Sequence, residues 1–296
     1  MKKVWYILYS MRPRQWTKNL ILFAGVVFSR NFMEPALVKR SLYGFVIFCL
    51  LSGAIYLLND VLDRERDKEH PVKKKRPVTA GLLGAGVAVG VAIALIVILL
   101  PVTWILGMEF FLLSAAFVIL NVAYSNFFRE VVILDVFSIS FSFLLRAAAG
   151  VAILRAEAPG VELSPWLLIC TLFLSLFLAF CKRRYEICVL ESAGDHRDSL
   201  REYTPRFLDQ LVGLSAATAL ISYSIYTVWP KTVEKFGTNA LVYTIPFVVF
   251  GIMRYLYLVY RREEGGDPSG VLFMDRAILI DVFAWALTTV GILWRF

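Results

Sequence analysis

Apolar stretches of helical length recur along the whole chain, at roughly 19–36, 41–61, 84–101, 104–126, 131–153, 164–186, 207–228, 239–259 and 276–294. Each comes close to the ~20 residues that a helix needs to cross a hydrocarbon core. The repetition predicts an all-α integral membrane protein, a bundle of about nine transmembrane helices. With 59% hydrophobic residues and a mean hydropathy of +0.69, the 296 residues leave no room for a soluble domain. A single transmembrane domain over 1–296 is therefore expected. Its first 18 residues, with Trp5, Tyr6, Ile7 and Trp16 among Lys and Arg, read as an interfacial segment rather than a cleaved signal.

Basic residues set the orientation. With the N-terminus in the cytoplasm, about 22 Lys and Arg fall at inner ends and loops and about seven outside, and Arg146 and Arg254 lie within the membrane. This predicts a multi-pass protein of the plasma (inner) membrane with its C-terminus outside. The long polar connections 62–83, 187–206 and 260–275 face the cytoplasm, the first two as active-site loops. Topology and anionic headgroups account for the net charge of +8, which is no argument for nucleic acid. Cys49, Cys170, Cys181 and Cys188 lack metal-ligand spacing, so neither zinc nor disulfides are expected.

Carboxylates gather at the inner end of the second span, in Asn59-Asp60-Val61-Leu62-Asp63-Arg64-Glu65-Arg66-Asp67. If the helix runs on through this stretch, Asp60, Asp63 and Asp67 fall within a sector of roughly 60°, with Asn59 at its edge. Scattered acids would read as a solvated helix end. A one-sided row of hard oxygen donors instead suits Mg2+, which keeps some waters and takes phosphate oxygens as its remaining ligands. The implied ligand is a diphosphate.

Four further clusters lie at or near this level. In the loop from His70 to Pro77, two prolines stiffen a basic run containing Lys73, Lys74, Lys75 and Arg76, cations fit for phosphate oxygens beyond those a metal neutralises. On the fifth span, Asp135, Ser138, Ser142 and Arg146 form one polar stripe expected to face the bundle interior. Asp135 and Arg146 are some 16 Å apart along the helix, so each needs another partner, and an intramembrane cavity or an anionic ligand is the expectation for Arg146. Asn121, Tyr124, Ser125 and Arg129 close the fourth span. Lys182-Arg183-Arg184-Tyr185-Glu186 closes the sixth, ahead of Glu191, Asp195 and Asp198; three adjacent cations there suit a second phosphate, whereas snorkelling and a Lys182–Glu186 pair are the ordinary alternative. His70 and His196 read as structural or surface residues.

At these residues the chain resembles the UbiA-type intramembrane prenyltransferase superfamily, whose first acidic signature, NDxxDxxxD, is matched by Asn59, Asp60, Asp63 and Asp67. The run Arg12 to Asn19, the His70 to Gly81 loop, Tyr124-Ser125 with Leu134-Asp135, Phe143 to Arg146, Lys182-Arg183 and Leu200 to Tyr203 look like the decaprenyl-phosphate phosphoribosyltransferase branch. The resemblance runs from about residue 11 to 210. It implies Mg-dependent transfer of 5-phosphoribose from phosphoribosyl diphosphate to a polyprenyl phosphate, as in making arabinose donors for the cell envelope. Members acting on aromatic acceptors carry a second aspartate-rich motif after helix six, where this chain has Lys182-Arg183-Arg184. Arg129 stands where the branch more often has Lys.

The expected assignments follow from this resemblance. Asn59, Asp60, Asp63 and Asp67 hold Mg-diphosphate, and Lys73 and Arg76 meet donor phosphates. Lys182, Arg183 and Arg146 meet the 5-phosphate or the lipid phosphate, Arg129 contributes to substrate binding, and Tyr124 and Lys18 orient substrate. Two other functions stay open: polyprenyl transfer from a prenyl diphosphate to a small acceptor, and transport. A homo-oligomer is also left open.

Overall fold

The computed structural model describes residues 2–69, 72–189, 199–262 and 265–295. Among them there is no β-strand, and eight helices are long and apolar enough to cross a membrane. By their contacts the residues divide into two compact units, Met1–Phe128 with Leu145–Leu163, and Arg129–Leu144 with Ser164–Phe296.

The first unit begins with α1 (Lys2–Ser10), whose Val4, Trp5, Leu8 and Tyr9 are exposed beside Lys2 and Lys3. α2 (Ala24–Phe28), α3 (Pro35–Leu62), α4 (Arg64–Glu69), α5 (Ala85–Leu106) and α6 (Met108–Asn126) follow. α3 packs against α5, α6 and the stretch before α2, and its Phe48 meets Phe110 and Phe117 with ring centroids 5.9 and 5.0 Å apart. The far side of α5 leaves Ile93, Val97, Ile98 and Ile105 bare, a face suited to acyl chains.

The expected long helix over 19–36 does not form. Pro13–Phe23 is a 3-10 helix, and α2 continues it for only five residues. The main chain packs closely here: a Cβ on Gly25 would collide with the carbonyl of Gly150, and one on Gly150 with that of Leu22. The faster 3-10 rise lets 13–28 cover roughly 30 Å, still the thickness of a hydrocarbon core. Arg12, at its start, touches Asp60 at the far end of α3, so the stretch runs alongside α3 back toward Pro35.

α7 (Leu134–Arg155) belongs to the second unit through Leu144 and to the first from Leu145. The second unit also holds α8 (Pro165–Val189) and the helices Pro205–Val228, Ile245–Arg261 and Arg276–Arg295. α8 packs chiefly against Pro205–Val228, around Phe177, Phe180, Leu208, Val212 and Tyr255.

Candidate active site

α3 delivers Asn59 and Asp60, and then stops. Leu62 is its last residue, and Asp63 caps it with φ −88° and ψ 1°, so the continuous helix expected through Asp67 is broken at this joint. The joint is held by backbone bonds, from Asp63 N–H to the Asn59 carbonyl (2.9 Å) and from Asp67 N–H to the Asp63 carbonyl (2.8 Å). Asp60 and Asp67 still converge. Nη1 of Arg76 lies 3.3 Å from Asp60 Oδ1 and 2.5 Å from Asp67 Oδ2, and Nη2 of Arg12 lies 2.5 Å from the same Asp60 oxygen. Asp60 and Asp67 are only 1% and 3% exposed, so their charges need these partners. Asp63 is half-buried at the joint, Lys73 is half-buried in the turn before Arg76, and Lys74 and Lys75 are exposed.

Arg12 was missed in the sequence as a partner of the acidic helix end. It is a non-glycine residue in the left-handed region, φ 54° and ψ 66°, a conformation costing on the order of 1–2 kcal/mol. Its guanidinium lies 4.7 Å from the centroid of Tyr56, one helical turn before Asp60. That i, i+4 pairing of a ring and a carboxylate was the available signal for a cation.

Beside this centre Ser125 Oγ lies 2.7 Å from Asn59 Oδ1, tying α6 to α3. Asn59 and Ser125 border an apolar cleft of about 150 Å³ lined by Ile55, Leu58, Val61, Val89 and Val122. Tyr124 and Lys18 are half-buried. Arg146 does not depend on a ligand for a partner: its Nε donates to Asn19 Oδ1 at 2.7 Å, and its guanidinium lies 4.5 Å from the centroid of Phe117. The stripe of Asp135, Ser138, Ser142 and Arg146 is buried throughout, as its spacing predicts.

A second polar centre lies in the second unit. Arg183, 1% exposed, donates from Nε to Asp135 Oδ2 at 2.6 Å and from Nη1 to Glu186 at 2.5 Å. The Tyr203 hydroxyl donates to Asp135 Oδ1 at 2.8 Å and accepts the N–H of Ile133 at 2.7 Å. Ile133 needs that grip, since a β-branched residue at φ 67° is an outlier. Burial, and then the charge of Asp135, push the Tyr203 phenol well above its ordinary range.

The three adjacent cations Lys182, Arg183 and Arg184 have different surroundings. Arg183 turns inward to Asp135, and Arg184 pairs with Asp209 at 2.5 Å and stacks on Tyr260. Lys182 is the most exposed of the three, 4.0 Å from Glu186. Arg129 reaches Glu130 at 3.1 Å, and its carbonyl accepts from Ser199. Glu191, Asp195, Asp198, His70 and His196 lie outside the described residues.

The donors around Asp60 fit a divalent cation in part. Two carboxylates face one guanidinium nitrogen, so a positive charge already sits between them, and the Asn59 amide oxygen is adjacent in sequence. Among the described residues no three Asp, Glu, His or Cys gather into a complete ligand set.

Residues 20–277 match the UbiA prenyltransferase family. The chain belongs to that family. UbiA-family relatives with curated names include the decaprenyl-phosphate phosphoribosyltransferases of Corynebacterium glutamicum, 33% identical with 96% of this chain and 85% of the relative covered, and of Mycobacterium tuberculosis, 32% identical with 96% and 93% covered. A nodulation protein, NoeC of Azorhizobium caulinodans, is 26% identical over 96% of this chain and 92% of its own. The UbiA fold is met again in a solved homologue from Archaeoglobus fulgidus bound to GPP and Mg2+, with a TM-score of 0.74 at 17% identity, covering 98% of this chain and 99% of that one. The multi-pass membrane character read from the hydropathy is that of the UbiA family.

Proposed function

We propose that this protein transfers 5-phosphoribose from phosphoribosyl diphosphate to a polyprenyl phosphate, with Mg2+, at a cytoplasm-facing acidic centre. The observation that carries this reading is the pairing of Asp60 and Asp67 around Arg76 and Arg12 in a chain that aligns over 96% of its length with named phosphoribosyltransferases. The bond from ribose C1 to the diphosphate breaks, and a bond forms from C1 to an oxygen of the lipid phosphate. That oxygen is already ionised near neutral pH, so positioning and charge neutralisation outweigh any need for a strong base. Bound beside Asp60, Mg2+ would neutralise charge on the departing diphosphate.

Asp60 and Asp67, with Asn59 and Asp63, hold the metal-diphosphate end in this proposal, and Lys73 and Arg76 take the oxygens left over. Lys18 and Tyr124 orient the donor. Lys182 is the cation of its row best placed for a second phosphate, because it is half-exposed and its pairing with Glu186 is loose. Arg146, Arg183 and Arg129 have protein partners, which supports roles in positioning their neighbours first and meeting phosphate second. The apolar cleft beside Asn59 is wide enough to start a prenyl tail. The basic bias of the inner loops supports a plasma-membrane location, and the 3-10 crossing alongside α3 supports a ninth passage and an outside C-terminus.

The purified protein, given phosphoribosyl diphosphate and a polyprenyl phosphate, should make a lipid heavier by one phosphoribosyl group in a mass spectrum. Product from a labelled prenyl diphosphate and a small acceptor, with none from phosphoribosyl diphosphate, would replace this reading by prenyl transfer.

A further inference from the structure

Arg12 carries an inference beyond these roles. Its backbone is held on both sides: Met11 is buried against Gly53, where a Cβ would press into the Met11 side chain. Trp16 Nε1 donates to the Met11 carbonyl at 3.2 Å, Arg12 N–H to the Tyr9 carbonyl at 3.1 Å, and Gln15 N–H to the Arg12 carbonyl at 2.8 Å. The surroundings thus maintain a left-handed residue that both turns the chain from α1 into the 3-10 helix and sets the position of one guanidinium, and over-determined strain of this kind gathers at working sites. The side chain is 29% exposed while its partner Asp60 is 1% exposed, so Arg12 forms part of the cover over that carboxylate.

Charge accounts for what this cover can do. Two buried carboxylates, Asp60 and Asp67, pair with two guanidiniums, Arg12 and Arg76, and Asp63 lies half-buried beside them. A divalent cation at Asp60 and Asp67 would compete with both guanidiniums for these carboxylates, next to a diphosphate still carrying negative oxygens. Arg12 has the planar fork to hold such oxygens while its face stays against Tyr56.

We propose that Arg12 is an exchangeable counter-ion: it pairs with Asp60 as seen here and, when donor and metal arrive together, turns from Asp60 to the non-bridging oxygens of the diphosphate. The inference rests on the donor reading given above. It makes Arg12 a competitor of the metal before the donor binds and a ligand of the donor afterwards, two effects of opposite sign.

Full-length protein in detergent tests this by Mn2+ titration without donor, followed by electron paramagnetic resonance, and by phosphoribosyl diphosphate binding at saturating Mn2+. Arg12→Gln should bind Mn2+ about three- to tenfold more tightly and phosphoribosyl diphosphate at least about tenfold more weakly. Arg12→Lys, which keeps the charge and loses the fork, should bind Mn2+ as the parent does and recover only part of the donor affinity. It carries the test if the Gln variant does not fold. Both affinities unchanged, or both weakened, would overturn the proposal. Asp60→Asn separates it from the donor reading: if Asp60→Asn loses Mn2+ binding while Arg12→Gln changes neither affinity, only the counter-ion role fails. If Asp60→Asn alters neither ligand, the donor reading itself fails.

Discussion

Asp60 and Asp135 are both buried aspartates held by arginine, yet their surroundings differ in kind. Around Asp60 the arginines are part-exposed, at 29% and 23%, and one nitrogen of Arg76 is shared between two carboxylates. Around Asp135 the arginine is sealed at 1%, and each carboxylate oxygen has its own donor, Arg183 Nε on one and the Tyr203 hydroxyl on the other. At the first centre the partner cations reach the surface, where another cation can take the place of one of them at the carboxylate. At the sealed centre none can, because removing one member strands a charge away from water. The second ties α7, α8 and the segment of Tyr203 together, whereas the first holds its carboxylates with cations that reach the surface.

The sharpest way to break this contrast is Arg183→Ala. It leaves Asp135 without its guanidinium and should cost about 3–5 kcal/mol, read as a lowered melting temperature in detergent. A variant that melts with the parent would show that the Asp135 centre is not sealed. Asp60→Asn should behave in the opposite way, folding normally while turnover falls at least about tenfold, or more than about 1.4 kcal/mol in the barrier. Chelation should abolish activity in the parent and Mn2+ should partly restore it. Unchanged turnover in saturating Mg2+ would remove the metal role of Asp60.

A smaller effect is expected from the loop. Arg76→Ala should raise the apparent KM for phosphoribosyl diphosphate severalfold more than that for the polyprenyl phosphate, with Lys73→Ala following in the same direction and Lys74→Ala as a silent control. The reverse ordering would assign the loop to the acceptor. Smallest in stability is Lys182→Ala: its pair with Glu186 is long and half-exposed, worth about 0.2–1 kcal/mol. A marked loss of activity without loss of melting temperature would then mark Lys182 as a ligand group. Loss of both would make it structural.

The transmembrane helices and the acidic centre were legible because each depends on local pattern. Hydropathy over a helical length marks a span wherever it occurs, and the one-sided spacing of Asp60 and Asp67 survives the break at Asp63 because the short helix that follows turns Asp67 back toward Arg76. What was illegible depends on partners far away in the chain. Nothing local pairs Asp135 with Arg183, 48 residues on, or Arg146 with Asn19, 127 residues back. For the same reason three adjacent cations looked alike, although Arg183 and Arg184 point to different carboxylates. The 3-10 stretch after Pro13 escaped because composition reports that a segment is apolar, not how tightly it is wound.

The contact of Gly25 with Gly150 bears on how this protein tolerates its solvent. Where main chain rests on main chain there are no rotamers to rearrange, and the spacing is fixed by atomic radii. Beside this seam, Asn19 grips Arg146. A bilayer that thickens, thins or stiffens can tilt helices and shift side chains at their lipid-facing surfaces, but it has little purchase on a joint of bare backbone. The register between the 3-10 stretch and α7 should therefore stay constant as the fluidity of the membrane changes.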